Sequence, residues 1–270
     1  MKERYSCYDN DKMKSMYCIY LNKWLNGISY EYDYWHQYLA TKGKKHQELQ
    51  SFEEVTSYDK KFQFEEYALN ENVKVLDVGC GPFSTIGTIS DGFNVEVTAV
   101  DPLAYLYKFL KNKYEIKTKV VPEFGMVEVL NRGYKTNSFD IVHMRNALDH
   151  CCDPLYGIFN MLFVCKVGGK VILFHHQNEA EAAKYEGFHQ WNLITANNEL
   201  VIWNHDLRIN VNEELQDIAD VYIERHKPLD KVVLTKKRDF DLSTNDLDSI
   251  FYEVIIEFIL KNIVRGSIKK

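Results

Sequence analysis

The chain reads as an α/β protein built on one mostly parallel, seven-stranded sheet with helices on both faces. Two observations predict this. From Val73 onward, short apolar runs rich in β-branched residues alternate with helical patterns, an order that makes parallel strands joined by crossover helices. At the head of that region Val73–Leu76 runs into Asp77-Val78-Gly79-Cys80-Gly81-Pro82-Phe83-Ser84: a buried strand, an acid, two close glycines and a run able to start a helix. Such a turn lets a ligand come close to backbone N–H groups, because no side chain stands in the way.

The elements follow in order. Residues 1–72 are dense in aromatics and lack strand–glycine–helix punctuation, so they are expected to form a cap of two or three helices. Trp35, Tyr38 and Leu39 fit one helix face, whereas Tyr30, Tyr32 and Tyr34 alternate and resist one. The main domain is expected over 73–240. Its second strand is Val95–Val100, followed by a helix over Leu103–Lys113. Thr118–Val121 is read as the third strand, stopped by Pro122, and Phe124–Asn131 as a brief helix. Phe139–Met144 is the fourth strand and Pro154–Cys165 the next helix. Lys170–Phe174 is the fifth strand, after the Gly168-Gly169 turn. Trp191–Thr195 and Leu200–Trp203 form a hairpin inserted at about 186–205. Glu213–Ala219 is helical, and Val221–Arg225 and Val232–Thr235 are the last two strands. Ser243-Thr244-Asn245-Asp246 opens a helix in the C-terminal segment, 241–270. There Glu253, Glu257, Lys261 and Arg265 make one narrow polar stripe, so the helix docks on its own core or on a second copy in a homodimer.

At 270 residues, 46% of them apolar and 27% charged, the chain can bury a full core. A net charge of −6 disfavours a nucleic-acid backbone as partner. Neither a signal-like N-terminal stretch nor a bilayer-length apolar run occurs, so membrane insertion is not expected. The six cysteines lack paired spacing and fit free thiols in a reducing, cytoplasmic setting.

Two nucleotide-type ligands compete for the glycine turn. A dinucleotide fold wants Gly-x-Gly-x-x-Gly. Here Ser84 stands at the third place, and Asp77 precedes the first glycine by two residues, where a carboxylate repels pyrophosphate and suits a cation. Asp101, ending the second strand, is placed to accept both hydroxyls of a ribose. A ligand with a ribose and a positive charge fits best.

On these residues the chain, from about Val73 to Lys237, resembles the class I S-adenosylmethionine-dependent methyltransferases. Asp77, Gly79 and Gly81 match the family's glycine motif, with Phe83 where a third glycine is common, and Asp101 matches its ribose-binding acid. The resemblance implies a Rossmann-like fold and S-adenosyl-L-methionine as cofactor. It implies that Asp77, Gly79, Cys80, Gly81, Asp101, Pro102, Glu128 and Asn146 hold that cofactor.

Asn146-Ala147-Leu148-Asp149-His150 follows the fourth strand, beyond the C-terminal strand ends where ligands sit in open α/β sheets. It is similar to the acid-plus-histidine segment of quinone and sugar methyltransferases, which implies His150 as general base and Asp149 as its companion. Some relatives hold a metal with an acid at the place of Asn146; an amide is the weaker ligand, so no metal site is expected. A second polar block holds His175, His176, Glu179, His189, Gln190, Trp191 and Asn192. It resembles a subgroup associated with bacterial surface-saccharide gene clusters. That resemblance implies His176, His189, Gln190 and Trp191 as acceptor contacts, with Tyr34 from the cap. The expected reaction is methylation of a small polar acceptor, at oxygen, on a saccharide or related metabolite. The alternatives are N-methylation of a small metabolite, a cofactor-binding scaffold without turnover, and an NAD-dependent oxidoreductase.

Overall fold

The computed structural model of the chain describes residues 10–45, 51–242 and 249–255. Ten strands are found among them: β1 (Asn72–Val78), β2 (Asn94–Asp101), β3 (Glu123–Phe124), β4 (Phe139–Arg145), β5 (Cys165–His175), β6 (Asn192–Ala196), β7 (Glu199–Trp203), β8 (Arg208–Asn210), β9 (Ala219–Glu224) and β10 (Asp230–Lys236). Seven make the main sheet, in the order β3-β2-β1-β4-β5-β10-β9. β1 to β5 run parallel, and β10 is antiparallel to both its neighbours. The chain reverses direction of travel across the sheet between β1 and β4. That is the place where open α/β sheets leave a crevice beyond the strand ends.

The helices are α1 (Asn10–Thr41), α2 (Phe52–Thr56), α3 (Ala104–Lys113), α4 (Leu130–Gly133), α5 (Pro154–Val164), α6 (Glu179–Ala182) and α7 (Val211–Leu215). β4 and α5 form the centre of the core: Phe139–Met144 are all buried, as is every α5 residue except Phe163. Asp153 caps α5 through the Tyr156 N–H, and Pro154 follows at the first turn, where a missing N–H costs nothing. Between β5 and β9 the expected hairpin is part of a three-stranded sheet, β6-β7-β8.

One expectation is refined and three are corrected. First, the cap holds the helices α1 and α2, as expected, but is dominated by α1, 32 residues and about 48 Å long. Its buried positions, Met13, Tyr17, Tyr20, Leu21, Tyr38 and Leu39, recur at helical spacing. Tyr30 and Tyr34 fall on other faces and stay exposed, which is why their alternation misled. Secondly, no helix follows Gly81. Residues 84–89 run extended beside 60–63, with Thr88 and Ile89 N–H donating to the Lys60 carbonyl and Phe62 N–H to that of Ile89. Thr85, Ile86, Thr88 and Ile89 are β-branched, and a Cβ on Gly87 would lie 1.9 Å from the Lys61 oxygen, so this contact needs glycine. Thirdly, the third strand lies after Pro122, not before it. Thr118 donates to the Val120 carbonyl and accepts from Lys111 Nζ, and pairing with β2 begins only at Glu123. Fourthly, the brief helix at 124–131 is a 3-10 turn, Val127–Val129, leading into α4.

Residues 249–255 are helical and pack inward, Phe251 edge-on against Tyr17 at 5.2 Å. The Ser243–Asp246 start and the stripe beyond Glu253 lie outside the described residues. Among the described residues no helix is long and apolar enough to cross a membrane.

Candidate functional site

One cavity of about 630 Å³ opens at the C-terminal ends of β1, β2 and β4, under the C-terminal half of α1. Its floor is the turn after β1. Gly79 and Gly81 have φ of +63° and +62°, the left-handed region that disfavours any side chain. Space excludes one as well: a Cβ on Gly79 would sit 2.8 Å from that of Ala147, and one on Gly81 3.2 Å from the Trp35 ring. The turn is folded back on β2. Gly79 and Cys80 N–H both donate to the Val100 carbonyl, and Gly81 N–H to Asp101 Oδ2 at 2.9 Å. These three amides, expected to face a ligand, are spent internally. The floor therefore offers close approach without the anion nest that a pyrophosphate needs, and the dinucleotide reading loses its basis.

Acids surround this floor. Asp101, only 6% exposed, accepts from Gly81 N–H and from Leu103 N–H at 2.7 Å. Each oxygen keeps a second lone pair for an incoming hydroxyl. Burial raises its pKa to about 7, against the pull of those two amides. Asp77 is held by Ser84 Oγ at 2.6 Å and by His143 Nδ1 at 2.7 Å, the histidine reaching across from β4. Cys80 and Pro102 line the same wall. Burial, and then Asp77 and Asp101, push the Cys80 thiol well up, so it stays protonated. Glu128 is not a solvated helix residue: it is 3% exposed, lines the cavity, and accepts from Cys152 N–H at 2.8 Å. Its pKa is also raised to about 7, by burial first.

The opposite wall carries the histidines. Asn146 has φ +49° and donates to Glu179 Oε1 at 3.2 Å. Asp149 lies buried behind the wall, its Oδ2 2.6 Å from His189 Nδ1 and 3.5 Å from His150 Nε2. Both imidazoles line the cavity, their rings 4.8 Å apart. Burial alone would raise the Asp149 pKa, but His150 and His189 outweigh it and hold the carboxyl below its ordinary value. Burial likewise lowers the pKa of His189, yet its bond to Asp149, and then the charges of Asp149, Glu179 and Glu31, leave it raised.

His176 and Tyr34 line the cavity as expected of acceptor contacts. Gln190 and Trp191 do not. They are 2% exposed and latch the inserted segment to the loop after β4, Gln190 Nε2 donating to the His150 carbonyl and Trp191 Nε1 to that of Cys151. Their sequence proximity to His189 made them look like neighbours in the site. Glu31 was missed. It lines the cavity from α1, accepts from Trp35 Nε1 at 2.6 Å and from Tyr107 Oη at 3.1 Å, and lies close enough to Asp101 to raise its pKa. The signal was present: Trp24, Glu31, Trp35 and Tyr38 share one face once the stretch is read as helix. His143 and Phe188, a cavity-lining ring stacked on Trp24 at 5.2 Å, carried no sequence signal.

Residues 76–173 match the methyltransferase domain family. Over this stretch, about a third of its length, the chain is similar to methyltransferase domains. Bare glycines, Asp101 at a strand end and an acidic lining fit a cofactor with a ribose and a sulfonium charge. Over 106 residues the chain is 29% identical to phosphoethanolamine N-methyltransferase 3 of Arabidopsis thaliana, covering 39% of this chain and 21% of that protein. Over 109 residues it is 31% identical to an uncharacterised methyltransferase of Schizosaccharomyces pombe, covering 36% of this chain and 38% of the other. The chain thus spans well under half the length of these relatives. A solved S-adenosylmethionine-dependent methyltransferase from Aquifex aeolicus is similar at 17% identity and a TM-score of 0.38, over 67% of this chain and 90% of its own.

Proposed function

We propose that this chain transfers a methyl group from S-adenosylmethionine to a hydroxyl of a small polar acceptor, a saccharide or related metabolite. When bound, the cofactor supplies a methyl group on a positively charged sulfur that is already strongly electrophilic. The protein's task is then placement and proton removal. Alignment of the reactants is worth roughly 7–11 kcal/mol in well-oriented cases, and general-base help about 10²–10⁴-fold. The observation that carries the reading is the Asp149–His150–His189 cluster, with both imidazoles opening on the cavity that holds Asp101 and the glycine floor. A hydroxyl must lose its proton to be methylated, and this cluster borders the place where that proton leaves. α1 and the inserted segment cover the cavity through Trp24 and Phe188, which suits an acceptor enclosed from water.

N-methylation is the second reading. Glu31 and Glu179 in the lining suit an ammonium group, and the named plant relatives methylate nitrogen. The test is calorimetric titration with S-adenosylmethionine, followed by release of S-adenosylhomocysteine with sugars, nucleotide sugars and small amines as acceptors. Turnover on hydroxyl compounds is expected; turnover on amines alone would transfer the reading to nitrogen. A folded protein that does not bind the cofactor would end both.

A further inference from the structure

We propose that Asp149, His150 and His189 bind a divalent transition-metal ion, and that the ion holds the acceptor hydroxyl. Asp149, His150 and His189 each offer one ligand atom, and these atoms all lie within 4.8 Å of one another, although the chain separates Asp149 from His189 by 40 residues. A first-row ion sits about 2.0–2.2 Å from such donors, which sets neighbouring donors roughly 3–3.5 Å apart. The 3.5 Å from Asp149 to His150 already meets this, and the 2.6 Å to His189 needs only a small withdrawal.

Two further atoms point to a ligand. His150 Nε2 is buried with no hydrogen-bond partner, and so is Asn146 Oδ1, four residues earlier on the same loop. Native interiors seldom leave two such atoms unmatched on one short loop. An ion satisfies the first directly and offers the second a bound water. The donor set also selects the ion. Two imidazoles and one carboxylate suit zinc, manganese, iron or cobalt, whereas magnesium and calcium prefer all-oxygen sites. Three protein ligands leave positions open, and the two histidines face the cavity. The ligand-bearing loops are fixed from behind: the Asp149 carbonyl accepts from Gln190 and Trp191 N–H at 3.0 and 3.2 Å.

The role of the ion rests on the O-methylation reading, while the site itself does not. An acceptor hydroxyl on the ion becomes more acidic. Its O–H bond breaks and the proton passes to the carboxylate of Glu179, which lines the same wall.

The test uses the whole chain, stripped with a chelator and dialysed, then titrated with Zn²⁺ and separately with Co²⁺. One equivalent is expected to bind at micromolar or tighter affinity, with Co²⁺ giving the visible bands of a low-symmetry nitrogen–oxygen site. His150→Gln and His189→Gln should each weaken binding by at least about tenfold, and His226→Ala, at a surface pair with Glu224, should not. Absence of stoichiometric binding, or affinity unchanged in both glutamine variants, overturns the proposal. Should either variant fail to fold, the stoichiometry and Co²⁺ bands of the unmodified chain decide alone. Cofactor titration of the stripped protein separates the two readings. Cofactor binding without metal removes only the ion, and metal binding without cofactor removes only the methyl transfer.

Discussion

Asp149 Oδ2 lies 2.6 Å from His189 Nδ1 and so joins the loop after β4 to the head of the inserted sheet. The contact makes one reactive wall from two segments that sequence places far apart. His150→Ala and His189→Ala should each lower turnover by about 10²-fold or more while leaving cofactor affinity within about twofold. Single-turnover kinetics beside calorimetry reads both quantities. Near-normal turnover in either folded variant would take that histidine out of the chemistry.

Asp101 should make cofactor affinity depend on pH. In the free protein its pKa is raised to about 7 by burial, so below that pH the carboxyl is largely neutral. A ribose and a cation both prefer the charged form, so affinity should fall as pH drops through about 7, approaching tenfold per unit. Asp101→Asn should bind about ten- to a hundredfold more weakly at pH 8, from the loss of roughly 1.5–3 kcal/mol of charge-assisted bonding. The same substitution should flatten the pH profile. Calorimetric dissociation constants from pH 6 to 8.5 check both.

Glu128 should cost stability as pH rises. Its folded pKa of about 7 lies above the ordinary carboxyl value of about 4, so between those limits the folded state binds the extra proton. Stability therefore falls from pH 4 toward 7, and the loss is complete above. Asp149 acts with the opposite sign, but below about pH 4. Glu128→Gln keeps an acceptor for Cys152 N–H and should lessen the slope between pH 4.5 and 7.5, the remainder coming from Asp101, raised to the same value. Urea midpoints of the two proteins across that range measure the difference.

Gly27 is expected to resist substitution although it lies in a helix. Alanine at a helix position normally gains about 1 kcal/mol over glycine. Here its Cβ would fall 2.4 Å from the Phe188 ring and 2.9 Å from the Gly187 backbone. Gly27→Ala should therefore destabilise by about 1–3 kcal/mol, the usual cost of overpacking. A double-mutant cycle with Phe188→Ala should return part of that loss, and additivity of the two changes would show that the cap is not seated on this contact.

The residues of the cavity floor were legible because they are local: Asp77, Gly79 and Gly81 share one turn, and Asp101 ends the strand that pairs with β1. What was illegible depended on partners distant in the chain. The absence of a helix after Gly81 is fixed by the strip at 60–63, which pairs with residues 84–89. α1 was obscured by tyrosines at 30, 32 and 34, whose alternation mimics a strand although 30 and 34 share one helix face and 32 lies on another. His189 was picked out as an acceptor contact, but only folding across 40 residues brings it to Asp149. Gln190 and Trp191 were picked out with it but turn inward, because their side chains are spent on the His150 and Cys151 carbonyls of the loop after β4.

The extended strip after Gly81 also sets the electrostatic sign of the pocket. A helix beginning there would point its amino end at the ligand, with roughly half a positive charge. Without that dipole at the turn, a cationic cofactor would meet Asp77 and Asp101 with one positive helix end fewer beside them, and the neutral thioether left after transfer would lose that attraction. Spent cofactor is therefore expected to bind more weakly than the methyl donor, a discrimination set by the backbone of a loop.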